Sequence, residues 1–373
     1  MTRLTLLVDS PSRGAHGGAA SRLALGLAQT GLADPTLLCY GNDEPPPWLP
    51  PEVRIERLGV DRVSRAAQPL AHYLRTKRPD VLITRQMHAN FVGLAASWLA
   101  RAPHGWDGKI VIVQDHPIEL SHAANWRDNK WAAKACYRFA DGIISPSPAV
   151  RQDAIRWCGV VPESVAVVPN ATAPFIGKAD APPHPWLRVG EPPVFVQASN
   201  MKPWKRLDLL IDAFAEVRKE HEARLLIIGE GDGRAQAVAQ IKQLGLERDA
   251  QLTGWVEDPM QYAAWAHAFV LPSDEEGFAQ VLTEAMTVGC PVIATDAQGG
   301  GPRFVTDDGR NGILVPRGDR TSLAEAMCDM LSDHVREHFS AAGKKRADEL
   351  SPEACATMLS DYLVGYVGIS SDR

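Results

Sequence analysis

The sequence of 373 residues lacks the features that would place it in a membrane or in an oxidising compartment. No apolar run approaches the roughly 20 residues that a membrane-spanning helix needs. The chain also begins without the pattern of a signal peptide. Its six cysteines are scattered, with no C-x-x-C pair and no close histidine cluster. Because such spacing argues for reduced thiols and against a structural zinc site, we expect a cytoplasmic protein.

Two motifs of cofactor-binding proteins are missing as well. The first glycine loop contains Gly14, Gly17 and Gly18, which do not form the G-x-G-x-x-G fingerprint of nicotinamide dehydrogenases. No Asp-x-Asp pair lies in a loop suited to a metal ion, and Asp307-Asp308 is typical of a surface turn. A nicotinamide dehydrogenase is therefore poorly supported, and we expect no metal ion.

What is present predicts an α/β protein of two domains. The chain is too long for one typical domain, and 45% hydrophobic with 23% charged residues is ordinary for a globular protein. Short apolar strands alternate with helical segments, a pattern that predicts parallel sheets covered on both faces. A proline-rich stretch without periodicity marks an interdomain linker. We place the domains at 1–175 and 193–350, the linker at 176–192, and a C-terminal helical segment at 351–373.

The two halves differ in charge. Residues 1–175 hold 19 Lys and Arg against 15 Asp and Glu, net +4, and the remainder holds 20 against 30, net −10. A mildly basic half suits an anionic acceptor or membrane surface, but scatter in surface charge explains it equally well. One predicted helix mixes aromatic with basic residues: Trp126, Lys130, Trp131, Lys134, Tyr137 and Arg138. An interfacial or acceptor-binding surface is one interpretation, and a core helix with snorkelling bases is the one we favour.

The most informative stretch is 272–302, which reads PSDEEGFAQVLTEAMTVGCPVIATDAQGGGP. The pair Gly277-Phe278 leads into an amphipathic helix, and Gly289 ends it before a short buried strand. Glu276 precedes the helix and Glu284 follows about two turns later. A helix start offers amide N–H groups and positive dipole charge, which suit a diphosphate. Carboxylates beside it can accept hydrogen bonds from sugar hydroxyls.

The run EGFAQVLTEAM, followed by GCPVIATD and GGPR, closely resembles the donor-site signature of glycosyltransferase family 4. The resemblance covers nearly the whole chain and is densest between Gln197 and Pro316. It implies the GT-B fold, in which two Rossmann-like, doubly wound parallel-sheet domains face each other across a cleft. It also implies hexosyl transfer from a UDP- or GDP-sugar with retention of anomeric configuration.

The same resemblance assigns roles in the second half. Glu276 would hold hydroxyls of the donor sugar, and Glu284 the ribose diol. Lys205 matches a family lysine that faces the diphosphate, which the amides of Gly277 and Phe278 would also contact. The chain departs from the family at Asn200, where an arginine is usual, and at Arg206, which replaces a glycine. Either Arg206 compensates for the lost guanidinium, or phosphate binding depends more on Lys205 and backbone amides.

Further site residues follow from the same comparison. Gly17 and Gly18 match a first loop near the donor phosphate and acceptor, although a turn that packs helix on strand explains them equally well. His116 follows a buried strand and would contact the donor sugar or the leaving phosphate. Gly229 and Val256 match the wall of the nucleotide pocket. The chain has Ala171 where the family has a glycine after Asn170, at the end of the first domain.

The resemblance predicts a glycosyltransferase that uses no cofactor. Its partners would be a nucleotide-sugar donor and a hydroxyl acceptor, namely a glycan, a lipid-linked glycan or a small molecule, and not nucleic acid. We expect a cytoplasmic location and leave open a peripheral contact with the inner face of the membrane. A GT-B-fold sugar-nucleotide epimerase and a non-catalytic sugar-nucleotide-binding protein remain as alternatives.

Overall fold

The protein is described from a computed structural model, which places residues 1–12, 14–41, 43–60, 62–101, 105–120, 126–174 and 177–369, without the side chains of 14–16 and 126–129. The chain forms two compact units. The first comprises Met1–Thr172 and Leu350–Arg373, and the second Ala173–Glu349. Among the described residues, no helix combines the length and the apolar character that crossing a bilayer demands.

The first unit alternates strands and helices. Its elements are β1 (Thr2–Val8), α1 (Gly14–Thr30), β2 (Ala33–Cys39), β3 (Arg54–Arg57), α2 (Ala67–Lys77), β4 (Val81–Arg85), α3 (Met87–Arg101), β5 (Lys109–Val113), α4 (Trp126–Cys136), β6 (Gly142–Ser145), α5 (Pro148–Cys158) and β7 (Val165–Val167). The strands form one parallel sheet in the order β3-β2-β1-β4-β5-β6-β7. The order reverses between β1 and β4, so the loops after these two strands diverge at the carboxyl edge.

Helices cover both faces of this sheet. Side chains of α2, α3, α4 and α5 pack on one face with Leu82, Ile110 and Ile112, all of them buried. Side chains of α1 pack on the other face with Leu4 and Ile83. Because both faces are covered, the central strands are apolar on both sides, as the sequence pattern predicted.

Local signals set the bounds of α5. The side chain of Ser147 accepts a hydrogen bond from the Val150 N–H, and Pro148 occupies the first turn. Gly159 ends the helix in the left-handed region with φ +63°. Serine caps, prolines in the first turn and glycines after the last turn are the standard helix boundaries, so the sequence predicts this helix to the residue.

Two predicted boundaries in the first unit are wrong. Gly17 and Gly18 lie within α1 rather than in the loop before it. A Cβ on Gly17 would lie 1.8 Å from the Ser10 carbonyl oxygen, so glycine allows the helix to approach the loop after β1. The sequence also predicts a helix from Ser64 to Lys77 that Pro69 interrupts, whereas Pro69 lies in the first turn of α2. Proline is tolerated there because the first turn needs no intrahelical N–H donor.

The second unit has a six-stranded parallel sheet. Its elements are β8 (Val194–Ala198), α6 (Leu207–Glu220), β9 (Arg224–Ile228), α7 (Arg234–Gln243), β10 (Ala250–Gly254), α8 (Pro259–Ala263), β11 (Ala268–Leu271), α9 (Gln280–Thr287), β12 (Val292–Thr295), α10 (Gly301–Val305), β13 (Ile313–Val315), α11 (Arg320–Asp329) and α12 (Asp333–Glu349). The strand order is β10-β9-β8-β11-β12-β13. This order reverses between β8 and β11.

The last helix of the chain belongs to the first unit. Helix α13 (Pro352–Tyr362) continues into a π-helical turn, Leu363–Val367, and packs against α1. The approach is close, since a Cβ on Gly26 would lie 1.9 Å from the Pro352 carbonyl oxygen. The hydroxyl of Tyr362 accepts a hydrogen bond from the Ile143 N–H at 3.0 Å and donates one to the Ser164 carbonyl oxygen. Helix α13 is thereby tied to both α1 and the sheet.

Candidate functional site

The point where strand order reverses positions the candidate site of the second unit. Strands β8 and β11 are neighbours, but the chain continues from them to opposite sides of the sheet. The loops that follow them, 199–206 and 272–279, therefore flank a crevice at the carboxyl edge. Open α/β sheets bind ligands in such crevices. Both loops carry residues that the sequence singled out.

Lys205 and Glu276 meet across this crevice. The Lys205 Nζ donates a hydrogen bond to the Glu276 Oε1 at 2.5 Å. The two side chains are only 16% and 13% exposed, so water screens their interaction little. The N–H of Asp274 also donates to the Trp204 carbonyl oxygen at 2.8 Å, which joins the same two loops through the backbone. The result is a cation and a carboxylate held side by side at the edge of the sheet.

A third loop, after β12, fixes the backbone of Glu276. The Glu276 N–H donates to the Gln298 carbonyl oxygen at 2.8 Å, and the Glu276 carbonyl accepts from the Gly301 N–H at 3.2 Å. Gly301 lies so close to Phe278 that an added Cβ would come within 2.6 to 2.7 Å of three Phe278 backbone atoms. The glycine turn at 299–301 therefore permits a close backbone approach beside Glu276.

The helix after Glu276 begins later than predicted. Helix α9 starts at Gln280, and Gly277 and Phe278 are buried in the turn before it. Ala279 caps the helix with φ +67° and ψ +54°, a left-handed conformation that is uncommon for any residue with a Cβ. Glu284 lies in the second turn of α9 and is half-buried. Glu276 and Glu284 thus flank the start of α9, although only one helical turn separates Glu284 from that start.

Arg206 fills an unusual backbone position. It precedes α6 with φ +49° and ψ +48°, in the left-handed region that favours glycine. Its guanidinium donates to both carboxylate oxygens of Asp208 at 2.9 to 3.2 Å and to both of Asp274 at 3.0 and 3.1 Å. The hydrogen bonds to Asp208, and then those to Asp274, raise the pKa of the guanidinium above its ordinary value. Arg206 therefore links the two loops that carry Lys205 and Glu276.

We expect Arg206→Gly to leave donor binding nearly unchanged, because the guanidinium is occupied by two carboxylates. Glycine also removes the backbone strain, while the lost ion pairs are partly exposed and worth only about 1 kcal/mol. Arg206→Lys is the matched variant, since lysine keeps the charge and the strain but loses the bidentate geometry. Urea unfolding should rank the lysine variant below the glycine variant. A rise of about tenfold or more in the donor Kd of Arg206→Gly would instead show that the guanidinium binds phosphate.

The remaining second-unit residues lie on neighbouring loops of the same edge. Gly229 follows β9 with φ +122°, and a Cβ there would lie 2.0 Å from the Ser199 carbonyl oxygen. The Gly229 N–H donates to the Gly254 carbonyl oxygen at 2.9 Å. Asn200 is exposed in the loop after β8. Val256 is two residues past β10, which lies two strands from β8.

In the first unit, His116 follows β5, one strand beyond the point where the order reverses. It is half-buried, and its carbonyl accepts a hydrogen bond from the Gln114 amide. Beside it, Arg85 donates to Asp115 at 2.9 Å through Nε, and both residues are 9% exposed. Gly17 and Gly18 follow β1 in the first turns of α1. Lys205 and Glu276 belong to the second unit.

The sequence alone did not identify Asp208, Asp274 or Arg85. The two aspartates position Arg206, and the available signal was the arginine in place of the family glycine. An arginine in a left-handed position needs partners, and Asp208 is only two residues away. Arg85 ends β4, and Asp115 follows the neighbouring strand β5. Their pairing depends on the two strands lying side by side, so no local sequence pattern predicts it.

Comparison with known proteins identifies the family of the chain. Residues 14–171 match the family described as "Glycosyl transferase 4-like domain", and residues 192–333 match "Glycosyl transferases group 1". The N-acetylgalactosamine-N,N'-diacetylbacillosaminyl-diphospho-undecaprenol 4-alpha-N-acetylgalactosaminyltransferase of Campylobacter jejuni is 27% identical over 64% of this chain and 64% of its own length. A D-inositol 3-phosphate glycosyltransferase of Xylanimonas cellulosilytica is 30% identical over 60% of this chain and 57% of its own length.

Solved structures share the whole architecture. Anabaena HepE in complex with UDP and glucose superposes with a TM-score of 0.78 at 21% identity, covering 98% of this chain and 100% of that one. Sucrose-phosphate synthase from Thermosynechococcus elongatus gives a TM-score of 0.78 at 19% identity, covering 98% and 99%. The predicted family and fold class are confirmed. With both halves matched and the architecture shared throughout, the chain belongs to glycosyltransferase family 4 and has the GT-B fold.

Proposed function

We propose that this protein is a retaining hexosyltransferase that moves a sugar from a UDP- or GDP-sugar to a hydroxyl acceptor. The acceptor would be a glycan, a lipid-linked glycan or a small molecule. The observation that carries the proposal is the Lys205–Glu276 pair, which lies where the strand order reverses. A cation for the diphosphate and a carboxylate for sugar hydroxyls are the two groups that recognition of a sugar nucleotide requires.

The donor would span the crevice of the second unit. Lys205 and the positive amino end of α9 would face the diphosphate, and Glu276 would accept hydrogen bonds from the transferred sugar. Glu284, half-buried in the second turn of α9, would hold the ribose diol. Gly229 and Val256 would line the side that faces the base. His116 would contribute from the first unit, with its imidazole near the sugar or the leaving phosphate.

The chemistry would be a front-face transfer. The bond between the anomeric carbon and the diphosphate oxygen breaks, and the acceptor oxygen attacks from the same face. The acceptor proton passes to the leaving diphosphate, so no protein carboxylate has to form a covalent intermediate. Lys205 would stabilise the charge that develops on the leaving group, which makes its contribution larger in the transition state than in the ground state. We propose that this requires no metal ion.

The function is tested by measuring transfer directly. UDP- and GDP-sugars are screened for protection of the full chain against thermal unfolding, since a ligand that binds the folded state raises its melting temperature. The protecting donor is then incubated with acceptors in the presence of EDTA, and proton NMR reads the anomeric configuration of the product. Retention, with no effect of EDTA, supports the proposal. Inversion or loss of transfer with EDTA would contradict the mechanism.

Glu284→Ala should mainly weaken nucleotide binding. A charge-assisted hydrogen bond is worth about 1.5 to 3 kcal/mol, so we expect the donor Kd to rise by about tenfold to a hundredfold while kcat changes little. The matched control is Glu325→Ala, which removes an exposed carboxylate from α11 of the same unit. Calorimetric titration with the free nucleoside diphosphate checks the assignment. An unchanged Kd would remove Glu284 from the site.

A further inference from the structure

One helical layer of the first unit carries an unusual charge. This basic layer consists of α2, α3, α4, α5 and the 3-10 turn Tyr137–Phe139 after α4, which all pack on the same face of the sheet. Its described side chains include eight lysines and arginines and one aspartate, Asp153, a net charge of +7. The opposite layer, α1 and α13, has Arg22 against Glu353 and Asp361, a net charge of −1. Within the first unit, positive charge is therefore concentrated on one face of the sheet.

Neighbouring acids neutralise only part of this charge. Among the ion pairs of the described residues, three of these bases pair with carboxylates outside the layer: Lys77 with Glu56, Arg101 with Asp141 and Arg156 with Glu119. Lys134 and Arg138, on α4 and the turn after it, instead lie over aromatic rings. Their charged groups are 5.7 Å from the centre of the Trp131 ring and 5.0 Å from that of Phe139. The positive charges of Lys134 and Arg138 therefore lie beside aromatic rings at the end of α4.

Exposed aromatic side chains accompany these bases. Trp131 is 67% exposed and Phe139 64% exposed, while Ala133 and Tyr137 between them are buried in the core. The sequence favoured a core helix at this place. Ala133 and Tyr137 do lie in the core, and Cys136 packs against it, whereas Trp131 on the same helix is exposed. The aromatic and basic residues between 131 and 139 that are exposed point away from the sheet.

The neighbouring helix adds a third exposed ring. Trp98 on α3 is 73% exposed, whereas Ala96 and Ala100 beside it are fully buried. Helix α3 packs beside α4, where the rings of Phe91 and Tyr137 lie 6.0 Å apart. Since both helices bury their inner sides on the same sheet face, Trp98 and Trp131 lie on the same outer side of the unit. Three large aromatic side chains are therefore presented together with the basic charge.

We propose that the basic layer docks on an anionic lipid bilayer. Lysine and arginine are attracted to anionic headgroups, and tryptophan and phenylalanine gain by entering the interface between headgroups and acyl chains. A soluble polyanion would satisfy the bases but would leave the three rings in water. The opposite helical layer carries −1, so an anionic surface attracts the basic layer in preference to that side of the first unit.

The full chain is sedimented with vesicles of phosphatidylglycerol and phosphatidylcholine, and with vesicles of phosphatidylcholine alone. We expect binding to the anionic vesicles only, weakening as NaCl is raised from about 0.05 to 0.5 M. Lys134→Glu combined with Arg138→Glu should lower the partition coefficient by about tenfold or more. Trp131→Ala combined with Phe139→Ala should lower it as well, and should weaken whatever binding survives at high salt.

The matched control is Lys219→Glu combined with Lys242→Glu, which makes the same charge change at two exposed lysines of α6 and α7. It should bind anionic vesicles within about threefold of the unchanged chain, since its charges lie outside the layer. Circular dichroism confirms that all variants are folded. Three results overturn the proposal: no vesicle binding, equal binding to neutral vesicles, or equal loss in the control. Binding to heparin without binding to vesicles also overturns it, in favour of a soluble polyanion.

Discussion

Lys205→Met should lower kcat by about 10² to 10³ and kcat/KM by the same factor. Methionine retains most of the side-chain volume but removes the cation that we assign to the leaving diphosphate. The charge on that group grows only as the glycosidic bond breaks, so the loss belongs to the transition state and KM should change little. Steady-state kinetics with the donor identified by thermal protection gives both constants.

Because Lys205 pairs with Glu276, the single variant also affects folding stability, and a double variant at both positions serves as its control. Removing the lysine leaves a carboxylate that is only 13% exposed without its cation. A largely buried carboxylate without a cation lowers the free energy of unfolding. The double variant Lys205→Met with Glu276→Gln removes both charges, and we expect it to regain about 1 to 3 kcal/mol relative to the sum of the single changes. It should stay inactive. If the double variant recovered both stability and turnover, Lys205 would have a purely structural role.

Gly301→Ala should destabilise the second unit by about 2 to 3 kcal/mol, because its methyl group has no space. The added Cβ would meet three backbone atoms of Phe278 at 2.6 to 2.7 Å, and backbone cannot move aside as a side chain can. The shift would also disturb Glu276, whose carbonyl accepts the Gly301 N–H. We therefore expect the donor Kd to rise together with the loss of stability, as measured by titration and urea unfolding.

Gly365→Ala is the matched control for that change. A Cβ there meets nothing within 4 Å, and the backbone does not adopt a positive φ. The substitution should be neutral or slightly stabilising, because alanine reduces the conformational freedom of the unfolded chain. If both alanine variants unfolded at the same urea concentration as the unchanged protein, the contact between Gly301 and Phe278 would be looser than its geometry indicates.

The parts of the fold that follow from local patterns were predictable. Helix α5 has the predicted bounds because a serine cap, a proline and a glycine mark its ends. Glu276, Lys205 and their loops were found through a motif in which several residues keep one register. Their direct contact was not predicted, since 71 residues separate them in sequence.

The parts that depend on distant contacts were not predictable. Arg206 holds a left-handed conformation, and one of the two carboxylates that bind its guanidinium, Asp274, is 68 residues away. No window of sequence around Arg206 contains that partner. The exposure of Trp131 was not predicted for a related reason, since aromatic and basic residues in alternation suit both a buried and an exposed helix face. The structure shows that Ala133 and Tyr137 are buried and that Trp131 is exposed.

The return of α13 to the first unit means that no single cut in the chain releases that unit intact. The Thr172 N–H donates to the Leu350 carbonyl oxygen at 2.9 Å, so the chain leaves and re-enters the unit at one place. During synthesis on the ribosome, the surface of α1 that α13 covers stays open until the entire second unit has been made. An isolated first unit would have to be built by joining these two adjacent points directly.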